Sequence, residues 1–330
     1  MAGLLRYGAY LPRPRAPLGE IQSFYGRPGR PRARALATPA LDEDALTMGF
    51  EAAREALGPE RAPRAIVSIT QSPPFGLRKV SATLARALEL ADDTVAYDLG
   101  GHSGSLLDGF ELAAALAEGD GERPVLVVAS DHIVSYEERV CDTLSAGGAA
   151  AFLVGPGDGF CRLGALERAS QEVYDVWRLG TEPEPRYRLE VLFDAYASTA
   201  RAALGALAHV TERDVGSYAA VCASQPHPQT LRALARAGAT EKQLAETSFV
   251  SEIGNLGAAS VGVAMALGLD RARRGQRLVA FGYGAGEGIA QELEVVAKPP
   301  AIGAAGRIPG DPITIGTYYR WTRGRQQEPH

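Results

Sequence analysis

Short apolar runs alternate along this chain with longer stretches in which apolar positions recur every three or four residues. Residues 65–70 (AIVSIT), 94–99 (TVAYDL), 125–130 (VLVVAS) and 150–155 (AAFLVG) are apolar without strict alternation, which predicts strands covered on both faces. Residues 44–58 (DALTMGFEAAREALG) place Ala45, Met48, Ala52 and Leu57 roughly on one face and end at Gly58, which predicts an amphipathic helix with a glycine C-cap. The acidic run 42–44 suits the partial positive charge of that helix's N-terminus. Residues 79–90 and 105–119 predict further helices, so the alternation is that of an α/β fold.

The order of elements recurs. AIVSITQSPP (65–74) and AAVCASQPHP (219–228) are each a strand followed by a Ser/Gln/Pro turn. An Ala/Leu helix comes next in both, then a glycine-rich element, YDLGGHSG (97–104) or SEIGNLGA (251–258), and then a strand, VLVVASD or LVAFGYG. Gln71 precedes Gly101 by 30 residues, as Gln225 precedes Asn255; Val125 and Leu278 lie 54 and 53 residues beyond the two glutamines. Matching order at matching spacing indicates an internal duplication. The halves are expected over 1–168 and 194–298, separated by a polar, aromatic insertion (169–193) and followed by an extended tail (299–330). In the insertion EPEP marks a solvent loop, while Tyr174, Trp177, Tyr187 and Phe193 are placed to cover a pocket. The Gly/Pro-rich tail is expected to be extended or partly disordered. Its Tyr318, Tyr319 and Trp321 among Arg320, Arg323 and Arg325 fit either docking on a partner or packing on this chain's own surface.

Composition adds exclusions. With 330 residues, 46% hydrophobic and 22% charged, the chain is neither disordered nor collagen-like, and its length suits two domains or one duplicated unit. No apolar run reaches the ~18–20 residues of a membrane span, and the N-terminal segment lacks the pattern of a secretory signal. A net charge of −5 without a basic stripe argues against nucleic acid. Three cysteines suggest a reducing, cytoplasmic location. His132, His209 and His330 lack metal-ligand spacing, and no metal site is expected.

These motifs, from YGAYLPRPR through DEDALTMGFEAAREAL, SITQSPPFGLRKVSATLARAL, AGGAAAFLVG, PHPQTLRAL and EIGNLGAAS to FGYGAGEG, resemble the thiolase superfamily, in the branch of β-ketoacyl-ACP synthase III and 3-hydroxy-3-methylglutaryl-CoA synthase. The resemblance covers nearly all of residues 3–297 and rests on the order of the motifs more than on any one. It implies a five-layer αβαβα thiolase fold of two duplicated halves, a homodimer, and an acyl-CoA or acyl-carrier thioester as substrate with no further cofactor. His227 in PHPQTLR and Asn255 in GNLGAAS match the family's His and Asn, which handle the thioester and the enolate. Such chemistry needs fixed neutral donors and a nearby imidazole. Gly282, Gly284 and Gly286 match the family's glycine loop beside the thioester. A dinucleotide-binding reading of GYGAGEG fails for want of a following helix.

The family's nucleophilic cysteine is absent. Cys141, Cys161 and Cys222 all lie outside the corresponding element, Asp98–Leu106, where three registers place Gly101, His102 or Ser103 at the cysteine's position. Gln71 stands where the family's hydroxymethylglutaryl-CoA synthases carry a Glu, and it can donate a hydrogen bond without shuttling a proton. Both absences argue against ordinary hydroxymethylglutaryl-CoA synthesis and ordinary acyl-cysteine ketosynthesis. Two readings follow. The chain is an acyltransferase or carbon–carbon bond-forming condensing enzyme of secondary metabolism, in which His102 or His227 acts as base, Asn255 holds the thioester oxygen, or Ser103 carries the acyl group, with Gln71 and Gly101 at the substrate. Alternatively it is a catalytically silent subunit working with a thiolase and an OB-fold, zinc-ribbon partner, whose entry segment the aromatic–basic tail resembles.

Overall fold

A computed structural model describes residues 2–327 except 28, 61, 101, 120–122, 181 and 183; side chains of 118, 119 and 323–327 are not described. Gly101 and His330 lie outside the described residues.

The chain opens with β1 (Ala2–Tyr10), β2 (Pro14–Pro17), α1 (Leu18–Phe24) and β3 (Ala35–Ala37). The first half continues through α2 (Ala45–Leu57), β4 (Ala65–Ile69), α3 (Val80–Ala87), β5 (Val95–Leu99), α4 (Leu106–Gly119), β6 (Val125–His132), α5 (Val140–Thr143) and β7 (Gly147–Pro156). After β8 (Cys161–Ser170) the insertion forms a small hairpin, β9 (Val176–Trp177) with β10 (Arg186–Tyr187). The second half then runs through α6 (Leu189–Thr211), β11 (Ala220–Ala223), α7 (Pro228–Arg236), α8 (Glu241–Thr247), α9 (Val250–Ile253), α10 (Ala259–Arg271), β12 (Arg277–Gly284) and β13 (Glu287–Val295). The tail adds β14 (Asp311–Pro312) and α11 (Ile315–Gln327).

The predicted helix at 44–58 forms as read. Asp44 accepts from Thr47 N–H at 2.8 Å while Thr47 Oγ1 accepts from Asp44 N–H at 2.7 Å, a reciprocal cap, and Gly58 ends the helix at φ 57°. The strands predicted at 65–70, 94–99, 125–130 and 150–155 correspond to β4, β5, β6 and β7.

The duplication is visible in the sheet order, β11-β12-β13-β8-β1-β7-β6-β4-β5. β1 and β8 meet at the centre through a two-residue antiparallel contact. Outward from them, β7 is antiparallel to β6 and β6 parallel to β4; in the other half β13 is antiparallel to β12 and β12 parallel to β11. Among the described residues the second half has no counterpart of β5, because the glycine-rich element there begins as α9.

Helices α4 and α10 pack between the two halves of the sheet. Gly262 of α10 sits against Ala150 and Phe152 of β7 and Leu106 of α4. α2 and α3 cover the first half from outside, and α6 with α7 covers the second. The result is the five-layer αβαβα arrangement. α10 is buried along nearly its whole length, as a helix with protein on all sides must be. No helix among the described residues is long and apolar enough to cross a membrane.

The tail departs from expectation. Rather than staying extended, it packs on the chain's own surface and ends in α11. Tyr318 is buried, and Tyr319 lies 4.7 Å from Phe24 and 5.8 Å from Tyr25, ring centre to ring centre. Arg15 fastens the tail. Its guanidinium is buried and donates to the carbonyls of Pro12 and Pro14 on one side and of Arg307 and Ile308 on the other. Burial pushes its pKa down to about 10. The apolar gain of burying the aromatic rings outweighs the extended preference of the Gly/Pro composition.

Candidate active site

The two halves meet at a small cavity of about 40 Å³, room for roughly three water molecules. Its polar lining includes Gln71, His102 and Ser103 from the first half, Asn255 and Tyr283 from the second, and Asp175 from the insertion. Ile133, Val176, Tyr187, Leu192 and Pro226 supply apolar walls, and Gly284 closes one side.

Asp131, at the end of β6, joins the loops of the two halves. One carboxylate oxygen accepts from Thr70 Oγ1 (2.8 Å), Gln71 N–H (2.7 Å) and Ser72 Oγ (2.9 Å); the other accepts from Ala258 N–H (2.6 Å). Burial pushes its pKa up, and these donors pull it back. Gly257, at φ 55°, lies too close to Asp131 to carry a Cβ.

Each candidate side chain has a definite setting. Gln71 Nε2 donates to Ser103 Oγ at 2.8 Å. Asn255 is buried; its Oδ1 accepts from Gly257 N–H at 3.0 Å, which fixes the amide orientation and leaves Nδ2 without a partner among the described residues. It does not cap α10, which starts at Ala259.

His102 Nδ1 accepts from Gly104 N–H at 3.0 Å, so its proton lies on Nε2, which donates to Glu287 at 2.9 Å. His102, Asp108 and Glu287 converge, and Arg168 supplies the cation among them, 2.5 Å from Asp108 and 3.4 Å from Glu287. His102 therefore turns away from Ser103, and no general base contacts that hydroxyl among the described residues.

His227 caps α7. Its Nδ1 accepts from Gln229 N–H at 3.1 Å, its Nε2 faces Arg32 Nη1 at 3.0 Å, and the Phe193 ring lies 4.9 Å away. The ring is 4% exposed, and burial, aided by the Arg32 charge, lowers its pKa from 6.5 to about 4. It stands behind Pro226 rather than on the cavity wall.

The glycine loop divides likewise. Gly284 abuts His102 and lines the cavity, Gly282 packs on Gly104, where a Cβ would come within 2.7 Å of the Gly104 carbonyl, and Gly286 (φ 79°) turns the chain against Gln171. The structure thus brings Gln71, His102, Ser103, Asn255 and Gly284 together, and sets His227, Gly282 and Gly286 just behind. Of the insertion's aromatics, Tyr187 lines the cavity and Phe193 covers His227, whereas Tyr174 is exposed and Trp177 stacks under Arg188 at 5.1 Å.

Sequence reading missed four polar groups here: Asp131, Asp175, Tyr283 and Arg32. Tyr283 Oη donates to buried Asp175 at 2.5 Å, and burial first, then that carboxylate, drives the phenol's pKa well above its usual range. Tyr283 sits inside the glycine segment already singled out, so it was within reach; nothing local marks Asp175 or Arg32.

None of the three cysteines lines the cavity. Cys141 belongs to α5, Cys161 to β8 and Cys222 to β11, and all are buried. Desolvation pushes the Cys161 thiol up to about 12 and the Cys222 thiol higher.

No family model matches the sequence. Among curated proteins, the hydroxymethylglutaryl-CoA synthase of Aeropyrum pernix is 29% identical over 301 residues, covering 87% of this chain and 82% of its own length. That of Methanocaldococcus jannaschii is 26% identical over 302 residues, 87% of each. Among solved structures, HMG-CoA synthase complexed with CoA superposes with a TM-score of 0.87 at 15% identity, covering 97% of this chain and 89% of the other. The priming β-ketosynthase of the R1128 polyketide pathway gives 0.77 at 23% identity, covering 91% and 97%. The sheet order, the central helix pair and this agreement along nearly the whole length lead to one conclusion: the chain has the thiolase-like fold, and it is similar in sequence and structure to the thiolase-superfamily branch that holds hydroxymethylglutaryl-CoA synthase and β-ketoacyl-ACP synthase III.

Proposed function

We propose that this protein is an acyltransferase or carbon–carbon bond-forming condensing enzyme that takes an acyl-CoA or acyl-carrier thioester and works without an acyl-cysteine. The observation that carries this reading is the Asn255 amide. Among the described residues its Nδ2 donor is unpartnered at a cavity where both halves converge, and no thiol lines that cavity. A fixed neutral donor in a water-poor site stabilises the oxyanion or enolate of a thioester more than water can. Gln71 and Ser103 add a second polar pair from the other half. Ser103 as an acyl carrier is the less favoured route, because both ring nitrogens of His102 are engaged elsewhere and no base among the described residues contacts the hydroxyl.

The test is release of CoA from a panel of acyl-CoA donors, with and without nucleophilic acceptors. Asn255→Ala should lower the rate by about 10²-fold, the usual effect of deleting one oxyanion donor. An unchanged rate removes Asn255 from the chemistry. The small cavity favours a second reading, a catalytically silent subunit whose pocket opens only with partner proteins. Turnover by the isolated protein would eliminate it.

A further inference from the structure

Two imidazoles, the half-buried His102 and the buried His227, each shortly before a helix, differ in one respect. His102 Nδ1 accepts a backbone N–H, and its Nε2–H finds a carboxylate, Glu287. His227 Nδ1 also accepts a backbone N–H, from Gln229 at 3.1 Å, but its Nε2 finds the Arg32 guanidinium at 3.0 Å. A guanidinium only donates, and so does a backbone N–H. A neutral imidazole has one acceptor nitrogen, so it cannot satisfy both neighbours; protonation would leave it none. With Nδ1 committed to the helix cap, His227 Nε2–H and Arg32 Nη1–H converge with no acceptor between them.

The charge on Arg32 is only weakly engaged elsewhere. Asp142 lies 3.9 Å away, at the limit of an ion pair, and already receives Arg27 at 2.6 Å. The Arg32 side chain is 47% exposed, whereas His227 is 4% exposed, so the pair spans the boundary between solvent and interior. A surface cavity of about 500 Å³, bordered by Gln22, Arg27 and Pro31, opens one residue from Arg32. An anionic oxygen placed between the two donors would relieve the conflict and receive a charge-assisted hydrogen bond from the guanidinium.

We propose that Arg32 and His227 form a two-donor site for a carboxylate, carried on the acyl chain of the thioester or on a free acceptor, and that Arg32 is the specificity-determining residue. This deepens the proposed function and rests on it for the identity of the molecule that brings the carboxylate. Arg32 selects the ligand, while His227 supplies the buried, oriented donor.

Calorimetric titration of wild type and Arg32→Gln with succinyl-CoA, butyryl-CoA and free succinate tests it. The two CoA esters match in chain length and differ in the terminal carboxylate. Wild type should bind succinyl-CoA at least about tenfold more tightly than butyryl-CoA, and Arg32→Gln should erase that preference. In ¹⁵N-histidine spectra the His227 Nε2 signal should move with the carboxylate ligand only. Arg32-dependent binding of succinate alone, without a preference between the esters, would assign the carboxylate to a free acceptor. Arg32→Lys, which keeps the charge and loses the fork, is the second variant and should retain part of the preference. Equal binding of the two esters with no succinate binding overturns the site, as does an Arg32→Gln loss shared equally by both esters. If neither ester binds, the thioester reading fails, while the succinate titration still decides the anion site.

Discussion

Acidification should destabilise this protein in part through one buried residue, His227. Burial, and secondarily the Arg32 charge, lowers its pKa from 6.5 to about 4. Between those values the unfolded chain binds a proton that the folded protein does not, so stability rises with pH across the window and falls on acidification. The contribution is complete above about pH 6.5 and exhausted below about pH 4. At ~1.4 kcal/mol per unit the displacement amounts to about 3 kcal/mol, a large share of a typical domain's 5–15 kcal/mol. Urea unfolding from pH 7 to about 4.5, followed by tryptophan fluorescence, should be run on wild type and His227→Asn. Asn caps a helix as well as His does here and does not titrate, so the difference between the two curves cancels the other ionisable groups. Wild type should lose about 2–3 kcal/mol relative to the variant over that range. Parallel curves would refute the depressed pKa, and a wild type that gains stability in acid would reverse the reasoning. In an Arg32→Gln background the loss should shrink, because the second cause is gone.

Two further outcomes are expected. The native protein should resist iodoacetamide, since its three thiols are buried and desolvation keeps them protonated; mass spectrometry should find no adducts before unfolding and three afterwards. A native adduct that abolishes turnover would return a thiol to the chemistry. Strand β5 ends the sheet with Val95 exposed and no further strand paired to it among the described residues, so light scattering should give a particle of twice the 34.8 kDa chain; a single-chain mass would refute a homodimer.

The α/β class, the duplication and most elements of the two halves were legible because burial on both faces and helical periodicity leave a direct trace in residue order. The helix start at the acidic run 42–44 and the stop at Gly58 are local chemistry and were legible, whereas the reciprocal cap between Asp44 and Thr47 emerged only in the structure. The convergence of Gln71, Ser103 and Asn255 could be anticipated from motif spacing, and its geometry could not. The link between the loops is Asp131, a residue whose partners lie 59 to 127 positions away. Arg32 was invisible for the same reason, since its contact with His227 spans 195 residues. The tail was misread because its Gly and Pro content describes local backbone preference, while its fate is set by the surface that Phe24 and Tyr25 offer to Tyr319.

The Arg15 guanidinium makes the attachment of that tail all-or-none. Its hydrogen-bond partners are main-chain carbonyls, two from residues just before it and two from Arg307 and Ile308. If the tail peeled away, a buried cation would be stranded with half of its acceptors gone, so partial release costs nearly as much as complete release. The segment therefore behaves as a latch with two positions. Through that latch, the start of the chain and the segment that leads into α11 are held or released together.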